Sequence, residues 1–253
     1  MARTDIEWTA SEDGIKGYSW NPITGCTKIS DGCKNCYAAD IAKRFWGDRK
    51  FGDVQFHPEH LERPLKWKKP RRIFVCSMGD LFHADAHFWN VDEVFEIISE
   101  CPQHTFIILT KRPENINKTA EFPDNVHLGV SVENQITATN RIPILLSIPA
   151  AVHFVSYEPA LGSINFDWIV MPDGDFLGSF FNHGTGTGIN WLIIGCESGP
   201  NRRPMPLEWA RSAVQQCQDA GVPVFVKQLD IGGKVEKDIN KFPKDLQIRD
   251  YPL

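Results

Sequence analysis

The chain has 253 residues, with 27 Lys and Arg against 32 Asp and Glu for a formal net charge of −5. That balance is too acidic for a protein that coats duplex nucleic acid, although it leaves room for a local basic patch. No stretch approaches the roughly 18 apolar residues of a membrane span, and the opening "MARTDIEWTASEDG" lacks a basic segment followed by an apolar one, so a cytoplasmic protein with no membrane partner is expected. The length suits a single α/β domain over residues 1–253 that needs no disulfide staples.

In chain order, "SWNPITGC" reads as a short first strand ending on Cys26. The loop "TGCTKISDGCKNCYA" follows, with Cys26, Cys33 and Cys36 inside eleven positions. Directly after it, "YAADIAKRFWG" spaces Tyr37, Ile41 and Phe45 four apart and ends on Gly47, the mark of a helix. Residues 63–72, "RPLKWKKPRR", place six basic residues around Trp67. Phosphate pairs with such cations and bases stack on such a ring, so nucleic acid is an option; a solvated loop entering a strand is the plainer reading.

From residue 72 onward, six apolar runs alternate with helical patterns: 72–80, 104–112, 126–133, 151–159, 190–198 and 222–228. Near-continuous apolar strands of this kind predict a parallel sheet covered on both faces. Between them, "NVDEVFEIISEC" has capping-box spacing at Asn90 and Glu93, with Val91, Val94, Phe95 and Ile98 on one face. In "PLEWARSAVQQCQDAG", Pro206 suits a first helical position and Gly221 a C-terminal cap, with Leu207, Ala210, Val214 and Cys217 as the inner stripe. The signals "PDGD" and "GTGTG" predict a hairpin-like insertion near 167–189.

Each apolar run closes on polar residues: Ser77 and Asp80, Lys111 and Arg112, Ser131 and Glu133, Ser156 and Glu158, Glu197 and Ser198, Lys227 and Gln228. In a parallel α/β barrel the C-terminal strand ends meet at one mouth, so these groups are expected to share a site suited to a zwitterionic ligand. The plainer reading is that they mark where strands reach solvent.

Seven cysteines, three of them crowded and four scattered, read as thiols of a reducing compartment. Structural zinc takes four ligands, commonly from two CxxC knuckles, and only one such pair exists here, Cys33 with Cys36. A histidine could complete the set, since His83 and His87 stand at i, i+4, while Cys76, Cys101, Cys196 and Cys217 fall in patterns where a small apolar thiol packs. The other occupant is a [4Fe-4S] cluster on three cysteines, which leaves one iron open. That iron can chelate the amino and carboxylate groups of S-adenosylmethionine and pass an electron to its sulfonium.

Together with "EWTA", "KPRRIFVCSMGDLFHAD", "FIILTKRP", "NVHLGVSVENQ", "FVSYEPALG", "WLIIGCESGP" and "VPVFVKQ", the cysteine stretch resembles a radical-SAM-like family named from two phage gene products and otherwise of unknown function. The resemblance covers nearly the whole chain. It implies a partial TIM-like (β/α)6-7 barrel, a [4Fe-4S] cluster on Cys26, Cys33 and Cys36, and S-adenosylmethionine as cofactor. The Cx6Cx2C spacing is longer than the common CxxxCxxC of radical-SAM enzymes but is shared by this family.

By position, the resemblance assigns the backbone of Ser77, Met78, Gly79 and Asp80 to the methionine amino group, Ser131 and Glu133 to the ribose, and Tyr37 to adenine. Glu197 and Ser198 are counted with these cofactor contacts. Lys111, Arg112, Glu158 and Lys227 are expected to hold the substrate, a small molecule, nucleotide or nucleic-acid base, with a flavodoxin- or ferredoxin-like protein supplying electrons. The competing expectation is a non-enzymatic binder that uses a cluster or a metal structurally. Two positions depart from the family: Cys196 stands where members have glycine and Leu229 where they tend to have tryptophan.

Overall fold

A computed structural model describes residues 2–10, 15–117, 121–167, 169–170, 176–181 and 188–252. The fold is mixed α/β with a mostly parallel sheet. The chain divides into two compact units, Met1–Gly129 with Ile148–Ala151, and Val130–Ser147 with Val152–Leu253.

The first unit carries, in order, β1 (Ala2–Arg3), β2 (Tyr18–Trp20), β3 (Ile23–Thr24), α1 (Tyr37–Phe45), β4 (Gln55–Phe56), α2 (Pro58–Leu61), β5 (Arg72–Val75), α3 (Phe88–Ser99), β6 (Thr105–Thr110) and the start of β7 (Val126–Ser131). β2 runs parallel to β5 with Tyr18 opposite Ile73, and β5 parallel to β6 with Val75 opposite Ile108. Ile73, Val75, Phe106 and Ile108 are buried, as strands covered on both faces require. The strands are shorter than their apolar runs. β5 stops at Val75, where Cys76 takes a left-handed φ of 57° and donates its N–H to Trp20 O at 2.8 Å, turning the chain out of the sheet.

Three local expectations are corrected. "SWNPITGC" forms two strands rather than one, because Pro22 cannot donate to a ladder. The second of them, β3, pairs antiparallel with β4, so Cys26 is not the end of a parallel strand. α3 begins at Phe88, two residues before Asn90, and no side chain caps it; the Asn90–Glu93 capping box is absent because Asn90 already lies inside the helix. In α1 the small residues Ala38 and Ala42 face inward, while Tyr37, Ile41 and Phe45 are 45%, 39% and 78% exposed.

The second unit carries the end of β7, then α4 (Gln135–Leu146), β8 (Val152–Tyr157), β9 (Ile169–Val170), β10 (Phe176–Gly178), β11 (Trp191–Gly195), α5 (Leu207–Asp219), β12 (Val224–Ile231) and β13 (Lys234–Glu236). β11 is parallel to both β8 and β12, and β13 returns antiparallel along β12. α4 owns the capping box the sequence reading placed elsewhere: Asn134 Oδ1 accepts from Thr137 N–H and Thr137 Oγ1 accepts from Asn134 N–H, each at 3.1 Å. α5 buries Ala210, Ala213, Val214 and Cys217, with Pro206 as its N-cap rather than its first residue and Gly221 at φ 68° just past its end. β9 and β10 pair antiparallel inside the insertion, as expected of a hairpin; the "PDGD" turn and all but the last residue of "GTGTG" lie outside the described residues.

The inward face of α1 has a direct check. Phe45→Ala should change unfolding free energy by less than about 0.5 kcal/mol, as at an exposed site, whereas Ile98→Ala, fully buried on α3, should cost about 3 kcal/mol. Equal losses in urea titrations would mean that α1 buries its aromatic stripe instead.

Candidate functional site

The three loop cysteines are free and half-buried, while Cys76, Cys101, Cys196 and Cys217 are free and buried. Cys33 ends a 3-10 turn, Asp31–Cys33, and Cys36 is the N-cap residue of α1. The residues that lengthen the first cysteine gap are thus folded into that turn. Gly25, immediately before Cys26, has a φ of 99° and donates its N–H to Met78 O at 2.9 Å. A side chain is excluded there twice over. The conformation favours glycine, and a Cβ would stand 2.6 Å from Asp53 O. Gly79 faces it, and a Cβ on Gly79 would stand 2.9 Å from Gly25 O.

Two side chains secure the same approach. Asn21 Oδ1 accepts from Ser77 Oγ at 3.2 Å and from Met78 N–H at 2.9 Å, and the Tyr37 hydroxyl donates to Ser77 O at 2.7 Å. The segment 77–79 is therefore fixed against the cysteine loop from three directions. Asp80 then fastens the segment to β6: it accepts from Phe82 N–H at 3.0 Å, Thr110 Oγ1 at 2.7 Å and Lys111 N–H at 3.2 Å.

Beyond β6, Arg112 reaches back to the loop, donating from Nη2 to Thr27 O at 3.0 Å and Thr27 Oγ1 at 2.8 Å, and toward the Cys26 thiol. Its Nε–H is buried with no hydrogen-bond partner. Burial and the Asp80 charge push the Cys26 thiol up to about 11 against the pull of Arg112. Burial also opposes ionisation of Cys33, but hydrogen bonds from the backbone at Ile29 and Ser30, the Ser30 hydroxyl and the Lys111 charge outweigh it and hold that thiol below its ordinary value. Lys111 and Arg112 thus act electrostatically on the cysteine loop.

Of the histidines weighed as zinc ligands, His83 contacts the cysteine loop at Thr27 and His87 stacks outside it. His83 is buried with Nε2 2.8 Å from Thr27 Oγ1, and its Nδ1 accepts from Asp85 N–H at 3.1 Å; His87 stacks on Trp89 at 4.4 Å. Thiolates sharing one zinc with 2.3 Å bonds stand about 3.8 Å apart, whereas a cluster takes its thiolates on separate irons, more widely spaced. Among the described residues, the set of three ligand atoms within 4.8 Å of one another is that of His57, Glu59 and His60, not the cysteines.

In the second unit each strand-end carboxylate meets a cation. Glu158 accepts from Lys227 Nζ at 2.7 Å, and its other oxygen is buried without a partner. Gly195 leaves room for that oxygen, since a Cβ there would lie 2.9 Å from it. Ser131 Oγ donates to Glu158 O at 3.0 Å. Glu133, buried, lies 3.1 Å from Arg141 Nη1, which also donates to Ser131 O at 2.7 Å. Glu197, also buried, accepts from Arg203 N–H at 2.8 Å and Nε–H at 3.0 Å, with Arg203 Nη2 on its second oxygen. Ser198 follows, half-buried. Cys196 and Leu229 are buried packing residues, and Gln228 Nε2 donates to Cys196 O at 2.7 Å.

Over residues 3–251 the chain matches the family model described as a protein of unknown function, DUF5131. It belongs to the DUF5131 family. No curated protein and no solved structure matches it.

In this DUF5131 protein Trp67 is not a free stacking platform, for it packs 5.0 Å from the Tyr18 ring and 6.1 Å from His104, with Arg71 lying 4.7 Å over Tyr18. Arg63, Lys66, Lys68 and Lys69 of the basic stretch are exposed. Sequence reading missed Asn21, Thr27, Arg141 and Arg203. Arg141 is eight residues beyond Glu133, across a loop and into a helix, a separation with no local signature; "ESGPNRRP" did hold a cue, since a turn brings Arg203 back onto Glu197.

Two substitutions test this geometry. Gly25→Ala should lower stability by about 2 kcal/mol or more, because it adds left-handed strain to a clash with backbone; an unchanged urea midpoint would contradict the close approach. Lys227→Met, which strips the cation from Glu158, should cost about 3 kcal/mol, and the added change Glu158→Gln should restore much of it. Additive losses in that double variant would mean the pair is not coupled.

Proposed function

We propose that this protein is a radical S-adenosylmethionine enzyme that holds a [4Fe-4S] cluster on Cys26, Cys33 and Cys36. The observation that carries the reading is the contrast among the thiols: three half-buried on one clamped loop, four packed in the core. The parallel strands β2, β5 and β6, and likewise β8, β11 and β12, support the finer reading of a partial (β/α)6-7 barrel of the radical-SAM type. When bound, such a cluster supplies one electron to the sulfonium of S-adenosylmethionine and releases a 5′-deoxyadenosyl radical.

The chain's own residues would do the rest. Gly25, Asn21 and Tyr37 fix the segment 77–79 against the thiols, so its backbone is set before any ligand arrives. Lys111 and Arg112 put positive charge beside Cys33 and Cys26, which favours thiolate and an anionic cluster. The Arg112 Nε–H is a buried donor ready for an acceptor. Ser131, Glu133, Glu197 and Ser198 are proposed cofactor contacts on the resemblance described above. Arg141 and Arg203 hold the two carboxylates in single orientations. Glu158 and Lys227 are proposed to meet a substrate of nucleoside or nucleotide class, and a flavodoxin- or ferredoxin-like protein to deliver the electron.

Anaerobic reconstitution should load about four irons per chain. Cys26→Ala, Cys33→Ala and Cys36→Ala should each abolish loading, whereas Cys76→Ala should not. After dithionite reduction the loaded protein should convert S-adenosylmethionine to 5′-deoxyadenosine and methionine, faster when the right nucleoside or nucleotide is added. A loaded protein that binds S-adenosylmethionine but releases no 5′-deoxyadenosine would leave the cluster a structural or binding role.

A further inference from the structure

In the first unit, outside the cysteine loop, β4 leads into α2 through His57, and the segment is pinned at several points. His57 N–H donates to Pro22 O at 2.7 Å, and His60 O accepts from Trp20 Nε1 at 2.9 Å. Glu59 Oε1 lies 3.3 Å from His57 Nδ1 and 3.5 Å from His60 Nε2, and one ligand atom from each of the three side chains lies within 4.8 Å of the others.

The remaining ring nitrogens settle the proton of His60 and leave that of His57 to its tautomer. His60 Nδ1 lies 3.2 Å from Asn21 O, an atom that can only accept, so the Nδ1 carries hydrogen. A neutral His60 then turns its Nε2 lone pair toward a carboxylate oxygen, and two acceptors face each other. His57 Nε2 lies 2.7 Å from Thr24 Oγ1, which can take its proton and leave the Nδ1 lone pair also pointing at Glu59. A cation placed among the three removes the conflict. The two spacings to Glu59, 3.3 and 3.5 Å, agree: around a tetrahedral ion with bonds of 2.0–2.1 Å, neighbouring ligand atoms stand about 3.3–3.4 Å apart. Ligating imidazoles are usually oriented by such a partner on the second nitrogen, the part played here by Asn21 O and Thr24 Oγ1. Side-chain exposures of 19%, 26% and 63% for His57, His60 and Glu59 leave an entry path for the ion.

We propose that His57 Nδ1, Glu59 and His60 Nε2 bind a divalent transition-metal ion of the zinc class, with water completing the shell. The site braces the turn after β4 against Asn21 and Thr24, the residues that lead into the cysteine loop.

Chelator-treated full-length protein titrated anaerobically with Co²⁺ tests this, because the spectrum reports ligand type. Cobalt on nitrogen and oxygen gives visible bands without sulfur charge transfer, so this component is separable from any cobalt taken by thiols. It should persist in Cys26→Ala and weaken at least tenfold in Glu59→Gln and in His60→Gln, which both keep side-chain length. Thr24→Val, which removes only the partner of the His57 ring, should weaken it about tenfold or more. Cobalt bound solely through sulfur, or nitrogen–oxygen binding of equal strength in wild type, Glu59→Gln and His60→Gln, would overturn the proposal.

Discussion

The backbone approach of Gly25 to Gly79 is the contact on which the arrangement of the first unit depends. Both positions exclude any β-carbon, one against Asp53 O and the other against Gly25 O, and the gap is closed by a backbone hydrogen bond from Gly25 to Met78. Because the cysteine loop leaves directly from this contact, the position of Cys26 relative to the segment 77–79 is fixed by main chain rather than by a flexible side chain. Asn21, Tyr37 and Asp80 then transmit that fixed position to α1 and to the end of β6.

The second unit solves a different problem. Buried carboxylates are costly unless paired and hydrogen-bonded, and replacing such pairs by apolar residues is often neutral or stabilising. Glu133 and Glu197, both buried, and Glu158, half-buried with one oxygen enclosed, nonetheless end successive segments of the sheet, and Arg141, Arg203 and Lys227 hold them. Stability alone does not call for this. What the pairing secures is orientation: Arg203 grips Glu197 from its backbone and its guanidinium together, and the Gly195 gap leaves one oxygen of Glu158 without a hydrogen bond.

How much of this could be read in advance follows from the range of each interaction. The parallel strands were legible because burial on both faces demands unbroken apolar runs such as "RIFV" and "WLII", but the ends of β5 to β8 and of β11 were set too late, since the polar tails belong to loops that leave the sheet, whereas β12 continues past Gln228 to Ile231. The helix starting at Phe88 was misplaced by three residues, its N-cap being His87 rather than Asn90, because Phe88 and Trp89, 72% and 50% exposed, are apolar residues in a polar position, and Asn90 offered a more ordinary cap. The three thiols were singled out by spacing alone, and their shared half-burial sets them apart from the other four. The cations that hold the carboxylates, and the Gly25–Gly79 contact, join residues far apart in sequence and carry no local pattern. His57, Glu59 and His60 are close in sequence, yet only the ring partners Thr24 and Asn21 reveal which nitrogens face Glu59.

The central claim is that three thiolates leave one iron of a cluster open to a cofactor. Electron paramagnetic resonance of the reconstituted, reduced protein, recorded before and after adding S-adenosylmethionine, addresses it most directly. If the iron is open, the amino and carboxylate groups of the cofactor become its ligands, and the signal should shift on addition in wild type and in Cys76→Ala alike. Identical spectra with and without S-adenosylmethionine, from protein carrying its full iron content, would contradict the claim.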